Sequence, residues 1–541
     1  LSKKESFVKG TLILAAAALI ARVLGLAQRV PLEHLLNVTG EAAFTQANQV
    51  YLLLLPLATA GIPSTLSKMV SERYALNRPD EAQQVYRAAL IFSAVVGVLM
   101  SIALYIAAPY YAEYAKVPES TLAIRAIAPA LLLFPTIAIM RGYFQGRNNM
   151  MAGGISQIVE QIARVSTAIL LAYILLKQGY DNTWMAAGAS FGSVFGSVGA
   201  FGIMLYYAMK MRRTEDKAAL YDSSAARLPL LGIYKDIFKL SIPIVLSSIT
   251  VPVVNFIDSS LIVPLLSGQI GIEDATGALA IYGSRAISVA GIPPVLAIAL
   301  STSLIPIISA AYARKDEQHL QRQVTLAMRI SILTGTPIVV SLMVAAYSIN
   351  GLLFTTLDGS GIVAMLTAGT IFQITMMTTN SILLGMGKSR ISMYYVFAGI
   401  LTKLAASFLL SKVFGIYGII GATALCFIVI TLLNLRMLKK IVSFTIMGKR
   451  WGGFAVAVLA SGGIGYGLNE AGIMLTRLMP DRLAFLITCL VVGGAVVIIY
   501  LVLLIVLGVL SRQEIAGYPR VLQKVLNPLM KLQPARVRTH E

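Results

Sequence analysis

Charge, cysteine and histidine are all scarce in this chain. Only 13% of its 541 residues are charged and 57% are hydrophobic, whereas a soluble domain is about 25% charged. That balance excludes an ordinary soluble globular protein. Two cysteines, Cys426 and Cys489, both lie in apolar runs without a spaced partner, so neither a disulfide framework nor a thiolate metal site is expected. Three histidines, His34, His319 and His540, stand far apart, which excludes an HExxH zinc motif. No Walker motif or nucleophile–base set appears. The glycine run Gly462, Gly463, Gly465, Gly467 lies inside an apolar stretch, where close helix packing is expected rather than a phosphate loop. No metal, no cofactor and no enzymatic activity are expected.

What is present is apolar length. Fourteen runs are long enough to span a bilayer, near 8–30, 43–69, 84–109, 121–142, 152–176, 184–209, 238–265, 276–311, 325–348, 361–386, 391–411, 415–437, 452–470 and 483–510. The expected fold is an all-α polytopic membrane protein. Residues 1–10 lead into the first run with no small-residue cleavage site after it, so that helix is expected to be retained. With the N-terminus inside, the inner segments and helix ends hold 33 Lys/Arg and 12 Asp/Glu, and the outer segments 5 and 10. This asymmetry obeys the positive-inside rule and places both termini in the cytoplasm. The net charge of +20 therefore reflects topology and contact with anionic lipid, not nucleic-acid binding.

Two parts of the chain repeat. Ser71, Tyr74 and Ala75 match Ser309, Tyr312 and Ala313 at an offset of 238, and 146–171 matches 385–410 at 239, which sets Arg164 against Lys403. The organisation expected is an N-lobe of six helices (1–212), a cytoplasmic linker (213–236) and a C-lobe of six (237–440). Two extra helices (441–510) and a basic amphipathic tail (511–541) follow.

Apart from the charges counted at helix ends, eight charged residues fall inside the runs: Arg22, Arg29, Arg125, Arg164, Arg285 and Lys403, with the acids Glu160 and Asp258. Such groups usually line a pathway or pair with one another. Arg125 has the option of snorkelling to the interface, and Glu160 and Arg164 that of an i,i+4 pair. The stretch 141–165 is read as a basic glycine-containing loop (141–149) followed by a helix with Gln157, Glu160, Gln161 and Arg164 on one face. Taken together, the excess of cations points to a hydrated cavity that attracts an anion, and arginine suits phosphate through its planar fork. Breaks at Pro56 and Gly61-Ile62-Pro63, at Pro243 and Pro252, and at Gly291-Ile292-Pro293-Pro294 mark the mobile, site-forming helices of a transporter.

Four stretches carry a family resemblance: 9–26 (KGTLILAAAALIARVLGL), 60–74 (AGIPSTLSKMVSERY), 281–316, and the run RGYFQGRNNMM…SQIVEQIARV that opens at Arg141. The chain resembles the multidrug/oligosaccharidyl-lipid/polysaccharide (MOP) exporter superfamily. Within it, the chain resembles the MurJ, YtgP and SpoVB group of lipid II and polysaccharide flippases. The resemblance implies two pseudo-symmetric six-helix lobes plus two helices. It also implies alternating-access translocation of an undecaprenyl-pyrophosphate-linked oligosaccharide, lipid II above all, across the bacterial plasma membrane, with cell-wall synthesis proteins as partners. By motif match, Arg22 stands at the R of R-x-L-G and Arg285 at the eighth-helix arginine. The sequence continues Gln28-Arg29 where the Gram-negative pattern reads Arg-Asp, so its second cation is displaced by one place. The expected cavity set is Arg22, Arg29, Arg285, Arg164 and Lys403, with Asp258 and Glu160 as coupling or structural acids. A cation-coupled multidrug antiporter using Asp258, a sporulation-specific exporter and a non-transporting scaffold are the alternatives.

Overall fold

In the computed structural model, the described residues are 20, 21, 23–25, 27–59, 62–76, 78–147, 149–214, 229–354 and 356–510. The amphipathic tail, most of the linker, and Arg22 lie outside them. Every regular element among the described residues is helical. Among the described residues, eleven helices are long and apolar enough to cross a membrane, and the protein is a multi-pass membrane protein.

The helices in chain order are α1 (Arg29–Leu35), α2 (Val38–Thr59), α3 (Ile62–Ala75), α4 (Pro79–Tyr114), α5 (Ser120–Ile127), α6 (Phe134–Gly146), α7 (Met150–Lys177), α8 (Asn182–Thr214), α9 (Leu230–Ser248), α10 (Thr250–Ile270) and α11 (Ile272–Ile281). After a π-helical turn at Tyr282–Ala286 come α12 (Ile287–Ala290), α13 (Pro294–Ala313), α14 (Glu317–Val344), α15 (Ala346–Leu353), α16 (Ser360–Gly385), α17 (Ser389–Phe414), α18 (Ile416–Ile441), α19 (Trp451–Ile473) and α20 (Asp481–Val506).

Several expected boundaries shift for physical reasons. The second run divides into α2 and α3, with Pro63 in the first turn of α3, where its missing N–H costs nothing. The eighth run is broken by the π-helical turn and by a bend before Pro294, the first residue of α13. Pro56, by contrast, stays inside a continuous α2. The expected loop over 141–149 is helical through Gly146, and only then does Asn149 begin α7 by accepting a hydrogen bond from the Ala152 amide at 3.4 Å. Glu33 and Glu41, counted with the outer loops by charge, are buried within α1 and α2.

The chain divides into two compact units. Unit one holds Leu1–Ser284, Ser389–Val396 and Phe408–Ile419; unit two holds Arg285–Lys388, Phe397–Ser407 and Ile420–Glu541. In unit one, α7 and α8 pack backbone to backbone along a glycine ladder. A β-carbon at Gly192 would stand 2.7 Å from the Arg164 carbonyl oxygen, and one at Gly196 would stand 2.9 Å from that of Glu160. Small residues that let backbones approach are how helices associate in lipid, where the hydrophobic effect gives little drive. This contact fixes the helix that carries both charged groups. In unit two, Arg329 and Arg450 both donate to the Val509 carbonyl, at 2.8 and 3.3 Å, just past the C-terminus of α20. Cations there complement the helix dipole.

The repeat is visible in the packing within each unit. A β-carbon on Gly146 would stand 2.7 Å from the Ser67 carbonyl oxygen and 2.9 Å from the Val70 β-carbon. One on Gly385 would stand 3.0 Å from both the Ile305 carbonyl oxygen and the Ile308 β-carbon. The partners are displaced by the same 238–239 residues as the sequence match. Gly146→Val and Gly385→Val should each lower stability by about 1–3 kcal/mol through overpacking, read as a lower melting temperature in detergent. Gly467→Ala, which meets open space, should leave it unchanged.

Candidate functional site

Arg29 is the first residue of α1 and is 8% exposed. Its guanidinium sits 5.1 Å from the centre of the Phe44 ring on α2. Arg164, on α7, holds its guanidinium 5.1 Å from the Tyr51 ring and donates from Nη2 to Gln161 Oε1 at 2.7 Å. The close approach of Gly25 to Arg164 Nη2, 3.5 Å from an added β-carbon, leaves room for that side chain. Arg164 and Glu41 are the charged groups that act on Arg29. Aromatic faces offset part of the cost of burying the two cations. Even so, Arg29 Nη1 and Arg164 Nε are buried with no hydrogen-bond partner among the described residues.

Glu160 does not pair with Arg164. Its Oε2 accepts from Arg141 Nη2 at 2.7 Å, and Arg141 also reaches Ser156 Oγ at 2.9 and 3.3 Å. The reason is the continuation of α6 through Gly146: Arg141 becomes a helical residue packed against α7, with a β-carbon at Gly142 limited to 2.7 Å from Pro63. Glu160 is thereby paired across two helices, and Arg164 makes no ion pair with a carboxylate among the described residues.

Asp258 on α10 is fully buried and accepts from the Tyr282 hydroxyl at 3.0 Å. The next two residues are tied to α2 and α4: Gln46 Nε2 donates to the Ser259 carbonyl at 2.7 Å, while the Tyr111 hydroxyl donates to Gln46 Oε1 at 2.7 Å and meets Ser260 Oγ at 2.8 Å. Sequence reasoning missed this row. Glu41, Thr45, Gln46 and Gln49 are all buried on one face of α2, and their spacing of four, five and eight was the available signal. The Gln49 amide and Thr45 Oγ1 have no partner among the described residues.

In unit two, Arg285 occupies the π-helical turn, an irregularity frequent at functional sites because it re-aims side chains. Its Nη1 contacts Thr356 O and Oγ1 at 3.0 Å each and Asp358 O at 2.9 Å, and its guanidinium lies 5.5 Å from the Phe354 ring. Lys403 is fully buried, donating to Thr423 Oγ1 at 2.9 Å. The structure thus brings Arg29 and Arg164 into one environment and holds Arg285 and Lys403 in contacts of their own. Arg125 stacks 4.7 Å from the Tyr105 ring and donates to the Tyr105 carbonyl at 3.3 Å.

This is the fold of a MOP-superfamily transporter. A solved multidrug resistance MATE family transporter, in its inward-facing conformation, superposes with a TM-score of 0.66 over 78% of this chain and 95% of its own, at 16% identity. The chain belongs to the polysaccharide biosynthesis protein family, whose model matches residues 7–312; the MatE model matches 243–409. Similar proteins include the membrane protein YabM of Bacillus subtilis (strain 168), 28% identical over 81% of each chain. The lipid II flippase MurJ of the same strain is 26% identical over 81% of this chain and 83% of its own.

A double-mutant cycle tests the charge assignment. Arg141→Gln with Glu160→Gln should show a coupling of about 1–3 kcal/mol, whereas Arg164→Gln with Glu160→Gln should add within about 0.5 kcal/mol.

Proposed function

We propose that this protein is a flippase that moves an undecaprenyl-pyrophosphate-linked oligosaccharide, foremost lipid II, from the inner to the outer leaflet of a bacterial plasma membrane by alternating access. Both termini lie in the cytoplasm, and the lobes at 1–212 and 237–440 are the moving bodies. The observation that carries the reading is a pair of guanidinium groups with buried donors unmet among the described residues, Arg29 Nη1 and Arg164 Nε. A buried unpaired donor is costly, and a pyrophosphate supplies acceptors and negative charge together. Arg22, by its motif position, completes this set. Arg285 and Lys403, each held by contacts within unit two, are further headgroup contacts in this reading. The similarity to a lipid II flippase over most of both chains supports the substrate class.

A multidrug antiporter is the second reading, favoured by the buried Asp258–Tyr282 contact. A lipophilic cation has no use for unmet guanidinium donors, so the first reading is preferred.

Depletion of the protein in its host, with labelling of lipid-linked sugar on each membrane face, tests the proposal. The expected result is inward-facing accumulation of lipid II, rescued by the wild-type gene and at least tenfold less well by Arg29→Ala or Arg285→Ala at equal protein levels. Accumulation of a different lipid-linked sugar would replace lipid II as the cargo. Full rescue by both variants would contradict the cationic site.

A further inference from the structure

A second polar pocket lies in unit one, away from Arg29. It has a volume of about 220 Å³ and is lined by Arg141, Gln145, Asn149 and Gln157, with Pro63 and Met150 supplying apolar walls. Three elements build it: the start of α3, the last two turns of α6 and the first turns of α7. The volume is below the roughly 300–1,000 Å³ of sites for drug-sized ligands, so it suits a single ring.

Its chemistry differs from that of the cation pair. The Arg141 charge is matched by Glu160 at 2.7 Å, so the pocket has no net charge to offer a phosphate. What remains is hydrogen-bonding capacity. The Gln145 and Gln157 side chains make no hydrogen bond among the described residues, and Arg141 uses Nε and Nη2 but not Nη1. Each carboxamide both donates and accepts, matching hydroxyl and acetamido groups, which do the same. Pro63 and Met150 give the C–H face of a ring something to rest on.

The pocket is also not a by-product of the repeat. The offset of 239 sets Asn380, Leu384 and Val396 in place of Arg141, Gln145 and Gln157. The second copy thus lacks both glutamines.

We infer that this pocket is a subsite for one neutral saccharide residue of the lipid-linked cargo, separate from the arginines that meet the pyrophosphate. The inference rests on the flippase reading and refines it: the arginines recognise the anionic link, and the Gln145–Gln157 pocket recognises the sugar.

The test compares binding of two probes to the purified full chain in nanodiscs: a prenyl pyrophosphate, and the same lipid carrying one N-acetylhexosamine. The sugar should tighten binding about tenfold, the contribution of one or two net hydrogen bonds. Gln145→Leu with Gln157→Leu should abolish that increment and leave affinity for the sugar-free lipid unchanged. Gln157→Met alone, close in volume, should lose about half of it on a logarithmic scale and guards against misfolding of the double variant. An increment that survives these substitutions, or an equal loss for both lipids, would overturn the inference while leaving the flippase reading intact. Binding of the free sugar as tightly as the lipid-linked form would assign the pocket to a soluble ligand and overturn it too. Failure of either lipid to bind would remove the flippase reading and the subsite together.

Discussion

A guanidinium buried at membrane depth is expensive, and its surroundings must either neutralise it or put it to use. In unit one, a single helix carries the partner of one guanidinium and a second guanidinium held without a carboxylate among the described residues. On α7, Glu160 accepts from Arg141 across the interface with α6, so that ion pair is internally satisfied. One turn later, Arg164 rests on the Tyr51 ring and donates to the neutral Gln161. Arg29 rests likewise on Phe44. Aromatic faces stabilise a cation without using up its donors, and a cation held that way keeps its capacity for an anion. The glycine ladder of α8 against α7 is the structural precondition, because it fixes the helix on which both arrangements sit.

The separation of roles follows from this arrangement. The Arg141–Glu160 pair leaves the adjacent pocket neutral, whereas Arg29 and Arg164 keep buried donors unmet among the described residues. A cargo with an anionic link and neutral sugars carries the same two chemistries. The fold is shared with multidrug transporters, so function has to be read from these side chains and not from the architecture.

Much of this was legible in the sequence and some was not. Apolar run length gave the helical membrane class, and the 238–239 offset reappears as the matched Gly146 and Gly385 contacts. The intramembrane charges were visible as anomalies, but their partners were not. The i,i+4 spacing suggested Glu160 with Arg164, whereas the structure pairs Glu160 with Arg141 nineteen residues away. That partner was hidden because glycines at 142 and 146 read as loop, when here they are small residues that let α6 pack against α3. The polar face of α2 was overlooked for a related reason. Neutral glutamine and threonine barely depress an apolar run, although their spacing places them on one buried face.

The central claim is that under-satisfied buried cations select an anionic lipid. The most direct measurement is transport in proteoliposomes containing only this protein, offering a fluorescent prenyl-pyrophosphate-linked sugar in one leaflet and a lipophilic organic cation in the lumen. The protein should move the anionic lipid between leaflets, and Arg29→Gln with Arg164→Gln should abolish this movement. Export of the organic cation that survives Arg29→Gln with Arg164→Gln and is lost in Asp258→Asn, with no movement of the anionic lipid, would contradict it.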